Sequence, residues 1–380
     1  MCIFLYIQLL MFVFVIMCSK AKQRTKNIVF FVTTLLWGVV FGLRRNDVGN
    51  DSDMYRMFYT GYSIPGLGTY EINSETEEYG FTLVANILHR ISPDVTFFYM
   101  AVSLAVFLLL YFVYKNKSTG YWGYLCFFVM SASFASLIIA MRQSMSIAFC
   151  LFAIYCFKHV DFDGHVKDMV KCFRDKYFIT GLCSFLFSIT VHRTSIMIMP
   201  VLILAYFCRY SRKIAYINVL VVLVFSILFS DQIGAFFDFA LAIIGGFSDD
   251  NVSLLAERYK GDFGDSGMTL LKIASWCVPM FFTVKYISQE KLKSFEFTCL
   301  MIAFTIFILF GNATMCIRLS MLFQIIGFSV FIPDVVYKKK EVQYLYLGFT
   351  LLFFYSAYKT YSNWLGYSYD STLPFYFFWE

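Results

Sequence analysis

Charge is what this chain has least of. Acidic and basic residues together make up 15% of its 380 positions, against 59% hydrophobic ones, and a soluble globular chain carries about 25% charged residues. That alone excludes a soluble domain. Polar low-complexity tracts are absent, so neither a disordered segment nor a fibrous repeat fits. The eleven cysteines include no C-x-x-C pair and most sit inside apolar runs such as those around Cys150, Cys156 and Cys277. They read as small hydrophobes, not as a disulfide or metal framework. Residues 1–18 lack the basic n-region and small-residue cleavage site of a secretory signal, which makes them a retained first span. A Gly-rich nucleotide motif is missing, and so is the internal repeat that marks the two halves of many transporters.

What is present is a series of long apolar runs, as in an integral membrane protein. A helix crosses the hydrocarbon core with ~20 residues, over a range of about 17 to 25. Twelve runs qualify: 2–18, 27–43, 95–114, 121–140, 142–158, 176–191, 194–208, 213–230, 269–287, 295–311, 315–336 and 342–358. The expected fold is an all-α polytopic bundle of about twelve spans, ten to fourteen allowing for the short ones, forming a single transmembrane domain over 1–380. The stretches 79–90 and 233–247 are apolar but short, and read as re-entrant or interfacial helices.

Sidedness follows from Lys and Arg, which stay with cytoplasmic loops. Twenty of the thirty-one basic residues fall into alternate loops, beginning with Lys20, Lys22, Arg24 and Lys26 and ending with Lys338, Lys339 and Lys340. Both termini are then outside. The net charge of +6 is therefore a topological signal, and no nucleic-acid partner is expected. Eleven basic residues remain outside, and eight of them are Arg: Arg44, Arg45, Arg56, Arg90, Arg142, Arg193, Arg258 and Arg318. Topology does not choose Arg over Lys. A planar guanidinium grips phosphate or carboxylate oxygens in pairs, so this set suggests an anionic ligand at the outer leaflet. Snorkelling at the interface or pairing with nearby acids is the plainer reading for any single one.

Three outward segments are long enough to cover a site in the membrane: 44–94, 231–268 and the tail 359–380. The first opens on Arg44-Arg45-Asn46-Asp47-Val48-Gly49-Asn50-Asp51-Ser52-Asp53-Met54-Tyr55, where Arg and Asp gather around a glycine that permits a tight turn. Arg142 sits between spans in Ile138-Ile139-Ala140-Met141-Arg142-Gln143 with almost no polar neighbour in sequence. A charge there costs about 2.5–3.5 kcal/mol at depth, which signals either a function or a buried acid partner. Arg318, in Cys316-Ile317-Arg318-Leu319, has the same character. His192 is a candidate general base because an imidazole titrates near neutrality, and a hydrogen-bonded structural role is its plainer alternative. Asp47, Asp51, Asp53 and Glu78 compete for the base role. Asp51 and Asp53 also have the spacing to share a magnesium ion with a substrate phosphate, although no metal or other cofactor is favoured.

The run from Arg44 to Tyr55 resembles the "R…vGtD…Y" segment of the EpsG family of Wzy-type polysaccharide polymerases. Arg44, Gly49, Asp51 and Tyr55 match, Ser52 stands where Thr is common, and Asn50 where Thr or Val is usual. Glu78-Tyr79-Gly80-Phe81 is similar to the family's "E.Gf" element, Arg142-Gln143 to its "RQ" element, and His192-Arg193-Thr194-Ser195 to its "H.s" element. Leu373-Pro374-Phe375-Tyr376-Phe377 resembles its closing "PY.f" run, with Phe375 in place of Tyr. The resemblance implies a GT-C-like membrane glycosyltransferase of the bacterial inner or plasma membrane. It would join undecaprenyl-pyrophosphate-linked repeat units of O-antigen, capsule or exopolysaccharide at the outer leaflet, inverting the anomeric carbon.

Under that resemblance Arg44, Arg45, Arg142, Arg193 and Arg318 hold the pyrophosphate. Asp47, Asp51, Glu78 or His192 deprotonates the acceptor, and Asp53, Tyr55 and Gln143 face the sugar. The partners implied are the lipid-linked donor and acceptor, membrane lipid, and a flippase and chain-length regulator of the same pathway. Two rivals stay open. A ligase would share the donor half of the site, and a lipid-linked oligosaccharide flippase would line a cavity near the midplane with charge.

Overall fold

The computed structural model describes residues 22–46, 48, 51–61, 78–115, 140–160, 174–192, 194–229, 232, 233, 235, 239, 270–310, 314–331 and 379. Every regular element among them is helical: α1 Gln23–Gly42, α2 Ser52–Thr60, α3 Tyr79–Ile91, α4 Val95–Tyr114, α5 Met141–Phe157, α6 Lys176–Val191, α7 Thr194–Phe207, α8 Arg212–Leu228, α9 Leu270–Tyr286, α10 Gln289–Leu292, α11 Phe295–Phe310 and α12 Thr314–Phe331. The helical class expected from the apolar runs is therefore what the chain adopts.

The runs expected over 95–114 and 176–191 coincide with α4 and α6 residue for residue. Side-chain caps set both starts. Asp94 accepts from the Thr96 N–H at 2.9 Å, and Asp175 accepts from the N–H groups of Tyr177 and Phe178 at 2.6 and 3.1 Å, satisfying donors that the first turn leaves open. Two described helices, α1 and α4, have the length and apolarity to cross a membrane, at 20 residues each. Helices α5, α6 and α11 are apolar but shorter, so the described residues do not by themselves establish twelve crossings. The expected spans 2–18 and 342–358, and 121–140 up to Ala140, lie outside the described residues. So do most of 231–268 and 359–380.

The chain divides into two compact units, one comprising 1–121, 134–199 and 354–380 and the other 122–133 and 200–353. In the first, α1 packs along α4, α4 on α5, and α5 on α6, with α2 and α3 lying against α4 and each other and α3 reaching α6. Aromatic faces fill the α1–α4 seam, with Phe41 stacked on Phe107 at 5.9 Å between ring centres. Gly42 lets this seam close, since a Cβ there would lie 2.5 Å from the Met100 Cα. Along α5–α6 the Ser146 hydroxyl meets Ser195 and donates to the Ser188 carbonyl, and Ser184 donates to the Phe149 carbonyl. Small polar residues of this kind let apolar helices approach closely and hydrogen-bond across the seam.

In the second unit α12 packs on α11, and α8 on α9 and α11. Among its described buried and half-buried polar contacts the Gln324 amide donates to the Ser320 hydroxyl at 2.8 Å, and the Arg212 guanidinium donates to the Ile287 carbonyl at 2.7 Å. Large apolar side chains remain on the outside of both units, among them Ile28, Leu36, Leu186, Leu204, Leu220 and Leu228. In water such a surface would aggregate, whereas lipid is its natural neighbour.

The segment 44–94 is more than a covering loop. Tyr99 donates its hydroxyl to the Ser52 carbonyl at 2.7 Å, and Tyr59 donates to the Ser92 carbonyl at 2.5 Å. The Tyr59 ring also stacks on Phe98 at 4.4 Å. These contacts fix α2 against the N-terminal end of α4, directly after the arginine pair.

Candidate functional site

Three ionisable side chains from three distant stretches of sequence meet in the first unit. Glu78 is the residue at which α3 starts, yet its carboxylate does not cap its own helix. It points outward from that helix instead. One oxygen, Oε1, lies 2.5 Å from Nδ1 of His192, and the other, Oε2, lies 3.2 Å from Nη1 of Arg142. The Glu78 side chain is 10% exposed, against 21% for His192 and 32% for Arg142.

Local structure explains why each group stands where it does. His192 ends α6 in an extended backbone conformation, and its N–H still bonds the Ser188 carbonyl at 3.1 Å. A helix C-terminus favours a positive charge. Arg142 is the second residue of α5, where the helix dipole disfavours a cation and welcomes an anion. Glu78 supplies that anion. Gly80 brings the acid within reach: a Cβ at Gly80 would lie 2.9 Å from the Thr190 carbonyl carbon and 3.0 Å from the Val191 nitrogen. Only glycine lets the first turn of α3 press against the last turn of α6.

A second feature adjoins the first through Tyr55. Arg44, directly after α1, is fully buried. Its Cζ lies 4.4 Å from the centre of the Tyr99 ring, and Nη1 donates to the Phe41 carbonyl at 3.3 Å. Its Nε and Nη2 are buried with no hydrogen-bond partner. Burial pulls the Arg44 pKa down, and the nearby Tyr99 and Tyr55 hydroxyls partly offset that pull. Among the described residues no carboxylate forms an ion pair with it. Tyr55 itself is 2% exposed, and burial pushes its phenol pKa up while Arg142 pulls it back. The Arg142 guanidinium is 5.8 Å from the Tyr55 ring, and the Arg142 N–H is 3.5 Å from its hydroxyl. Tyr55 thus feels both arginines.

The two arginines differ in what they offer a ligand. A buried guanidinium with two open donors and no counter-ion is a costly arrangement that an incoming phosphate oxygen relieves. Arg142 already has its acid, and of the two meanings its sequence context carried, the buried acid partner is the one found. Gln143 follows it, buried in α5. Asp51 precedes α2 and acts electrostatically on Tyr55, and Arg45 is half-buried beside Arg44. Asp47, Gly49 and Arg193 lie outside the described residues, as do the side chains of Asp53 and Arg318.

Sequence reasoning singles out Glu78, Arg142, His192, Arg44 and Tyr55, but not their grouping; it passes over Tyr99 and gives Gly80 no physical reason beyond its motif. In a chain with 27 Tyr and 47 Phe, a tyrosine in the first turns of a span reads as belt or core. The available signal was a hydroxyl placed just inside a span start, opposite an arginine just past a span end.

A helical chain with apolar outer surfaces, two helices of membrane-crossing length and an acid, base and guanidinium cluster at helix ends is a membrane protein with an enzyme-like site. The EpsG family model matches residues 27–377, nearly the whole chain, and the protein belongs to the EpsG family. Membership points to exopolysaccharide synthesis at a membrane and, in general terms, to a glycosyltransferase-like polymerase. No curated protein and no solved structure matches the chain.

Proposed function

We propose that the protein is a polysaccharide polymerase that takes an undecaprenyl-pyrophosphate-linked glycan as donor and a second lipid-linked repeat unit as acceptor, joining them by one inverting displacement. The observation that carries this reading is Arg44: fully buried, with no hydrogen bond to Nε and Nη2 and, among the described residues, no acid paired with it, it is suited to receive phosphate oxygens, and Tyr55 links it to the carboxylate–imidazole pair. In the reaction the acceptor hydroxyl oxygen bonds to the anomeric carbon. The bond from that carbon to the phosphate oxygen breaks, and its electron pair leaves with the lipid pyrophosphate. Donors aimed at the departing charge supply the electrostatic stabilisation that usually dominates such transfers.

Arg45, Arg193 and Arg318 are proposed as further cations for the same group, and Asp51, Asp53 and Gln143 as contacts to the sugar. Asp47 stays a candidate base. The reading places a twelve-span, GT-C-like chain in a bacterial inner membrane, with both termini and the segments 44–94, 231–268 and 359–380 facing outward. A flippase that delivers the repeat unit and a chain-length regulator are its proposed partners.

The test is incubation of the purified protein with its lipid-linked repeat unit, reading products as a ladder on a gel, alongside binding of undecaprenyl pyrophosphate. Wild type yields a ladder and binds the carrier, whereas Arg44→Ala loses the ladder and binds the carrier about tenfold to a hundredfold more weakly. Transfer to a different acceptor without a ladder would make the protein a ligase. Movement of the unit between leaflets of proteoliposomes without any product would make it a flippase.

A further inference from the structure

We infer that Glu78 is a positioning residue that holds His192 with its proton on Nδ1 and leaves Nε2 as the base for the acceptor hydroxyl, while Arg142 serves Glu78 and not the pyrophosphate. This rests on the polymerase reading for its chemistry and on the cluster's geometry for everything else.

A carboxylate paired with a guanidinium at 3.2 Å has only lone pairs to offer. Whatever lies 2.5 Å from its other oxygen must therefore donate. A neutral imidazole carries one N–H and one lone pair, so the Nδ1 contact with Glu78 puts the lone pair on Nε2. The same carboxylate fixes the ring's orientation, because Glu78 is itself held from two sides, by Arg142 at the start of α5 and by the Gly80 approach to α6. About one fifth of the His192 side chain stays open, enough for a substrate hydroxyl to reach it.

Charge accounting assigns the roles. Arg142 and Glu78 cancel, so the pair presents no net positive charge to a pyrophosphate, whereas no carboxylate among the described residues pairs with Arg44. When Nε2 takes the acceptor's proton, His192 becomes an imidazolium. That cation is stabilised by Glu78 on Nδ1 and by the C-terminal end of α6. The proton leaves afterwards to water or to the released pyrophosphate, and His192 returns to its starting tautomer. Glu78 is thus never the proton acceptor. One of its oxygens accepts from His192 and the other is ion-paired to Arg142, and it stands to His192 as an orienting acid stands to a base in hydrolytic triads.

The chain has four histidines, which makes the tautomer directly observable. Full-length protein with ¹⁵N-labelled histidine, in lipid nanodiscs, is compared with His192→Gln to assign the resonance. Wild type is expected to show His192 with a protonated Nδ1 and a bare Nε2. In Glu78→Gln the amide can donate to Nδ1, and the bare nitrogen moves there in part or whole.

Turnover should follow the tautomer. Glu78→Gln and His192→Gln each lower kcat by about 10²–10⁴-fold with KM for the lipid-linked donor changed less than about threefold, and the double variant is no worse than His192→Gln alone. A wild-type ring with Nε2 protonated would overturn the inference. So would a Glu78→Gln variant that loses activity with the tautomer unmoved, since a purely structural brace behaves that way. An unchanged circular dichroism spectrum and elution profile of Glu78→Gln guard against misfolding as the cause. If wild type makes no ladder at all, the base role falls with the polymerase reading, and the ring's tautomer still decides whether Glu78 positions His192.

Discussion

Two arginines, Arg44 and Arg142, look alike in the sequence: each stands at a span end on the outward side, with few polar neighbours in the residues just inside the membrane. In the folded chain they are opposites. Arg44 is fully enclosed, rests on the Tyr99 ring and meets no acid among the described residues, whereas Arg142 is one-third exposed and ion-paired to Glu78. The difference teaches that a costly cation in a membrane protein has two uses, as a receptor for an outside anion or as the counter-charge that makes an acid–base pair rigid. Only the partner tells which.

The largest expected effect comes from disturbing the rigid pair without touching its side chains. Gly80→Ala drives a methyl group into the backbone of Thr190 and Val191, separating Glu78 from His192. Displacements near 1 Å can cost about 10²-fold in rate, so polymer yield should fall at least that far while carrier binding at Arg44 persists. A ladder of normal intensity from Gly80→Ala would break the link between the close approach and the chemistry.

Next comes a test of the contrast itself, by measuring affinity for undecaprenyl pyrophosphate. Arg44→Ala should weaken binding about tenfold to a hundredfold, in line with the loss of charge-assisted hydrogen bonds. Glu78→Ala should leave affinity intact or raise it, because Arg142 is then released to attract the anion. If both variants weaken binding equally, the two arginines act as one site and the distinction fails.

A smaller effect belongs to the aromatic floor. Tyr99→Phe keeps the ring under Arg44 and removes the hydroxyl's bond to the Ser52 carbonyl, which should cost about 1 kcal/mol of stability and change carrier affinity little. Tyr99→Leu removes the ring as well and should weaken affinity further, by about 0.5–2 kcal/mol. Thermal unfolding in detergent and carrier titration separate the two contributions.

The smallest effect lies at alkaline pH. The Tyr55 phenol is raised by burial from its ordinary value of 10.0. An unfolded chain therefore gives up that proton first, and Tyr55's share of stability is complete below pH 10, then lost as pH climbs through the folded value. Tyr55→Phe should flatten the fall in melting temperature above pH 10, and an unchanged slope would remove Tyr55 as its source.

Much of this was legible in the sequence, for stated reasons. Helices α4 and α6 announce themselves by apolar runs opened by Asp94 and Asp175, both of which cap as such residues do. Arg142 was conspicuous because nothing near it in sequence could balance it. Its acid lies 64 positions upstream, and the base that shares this acid lies 114 positions away from it. Periodicity carries no information about such pairings; they depend on how α3, α5 and α6 pack. Gly80 stood inside a recognised motif, but its reason is a neighbouring backbone that only the fold reveals. In the same way, Tyr99 was hidden by the abundance of aromatics around it.

The open guanidinium of Arg44 also bears on what happens after the bond is made. On the proposed reading a donor and a spent carrier share the same pyrophosphate, so a site that recognises this group would bind the product by the same atoms as the substrate. Accumulated carrier would then act as a competitive inhibitor. The rate of chain growth would be governed by how quickly the membrane clears and recycles its used lipid.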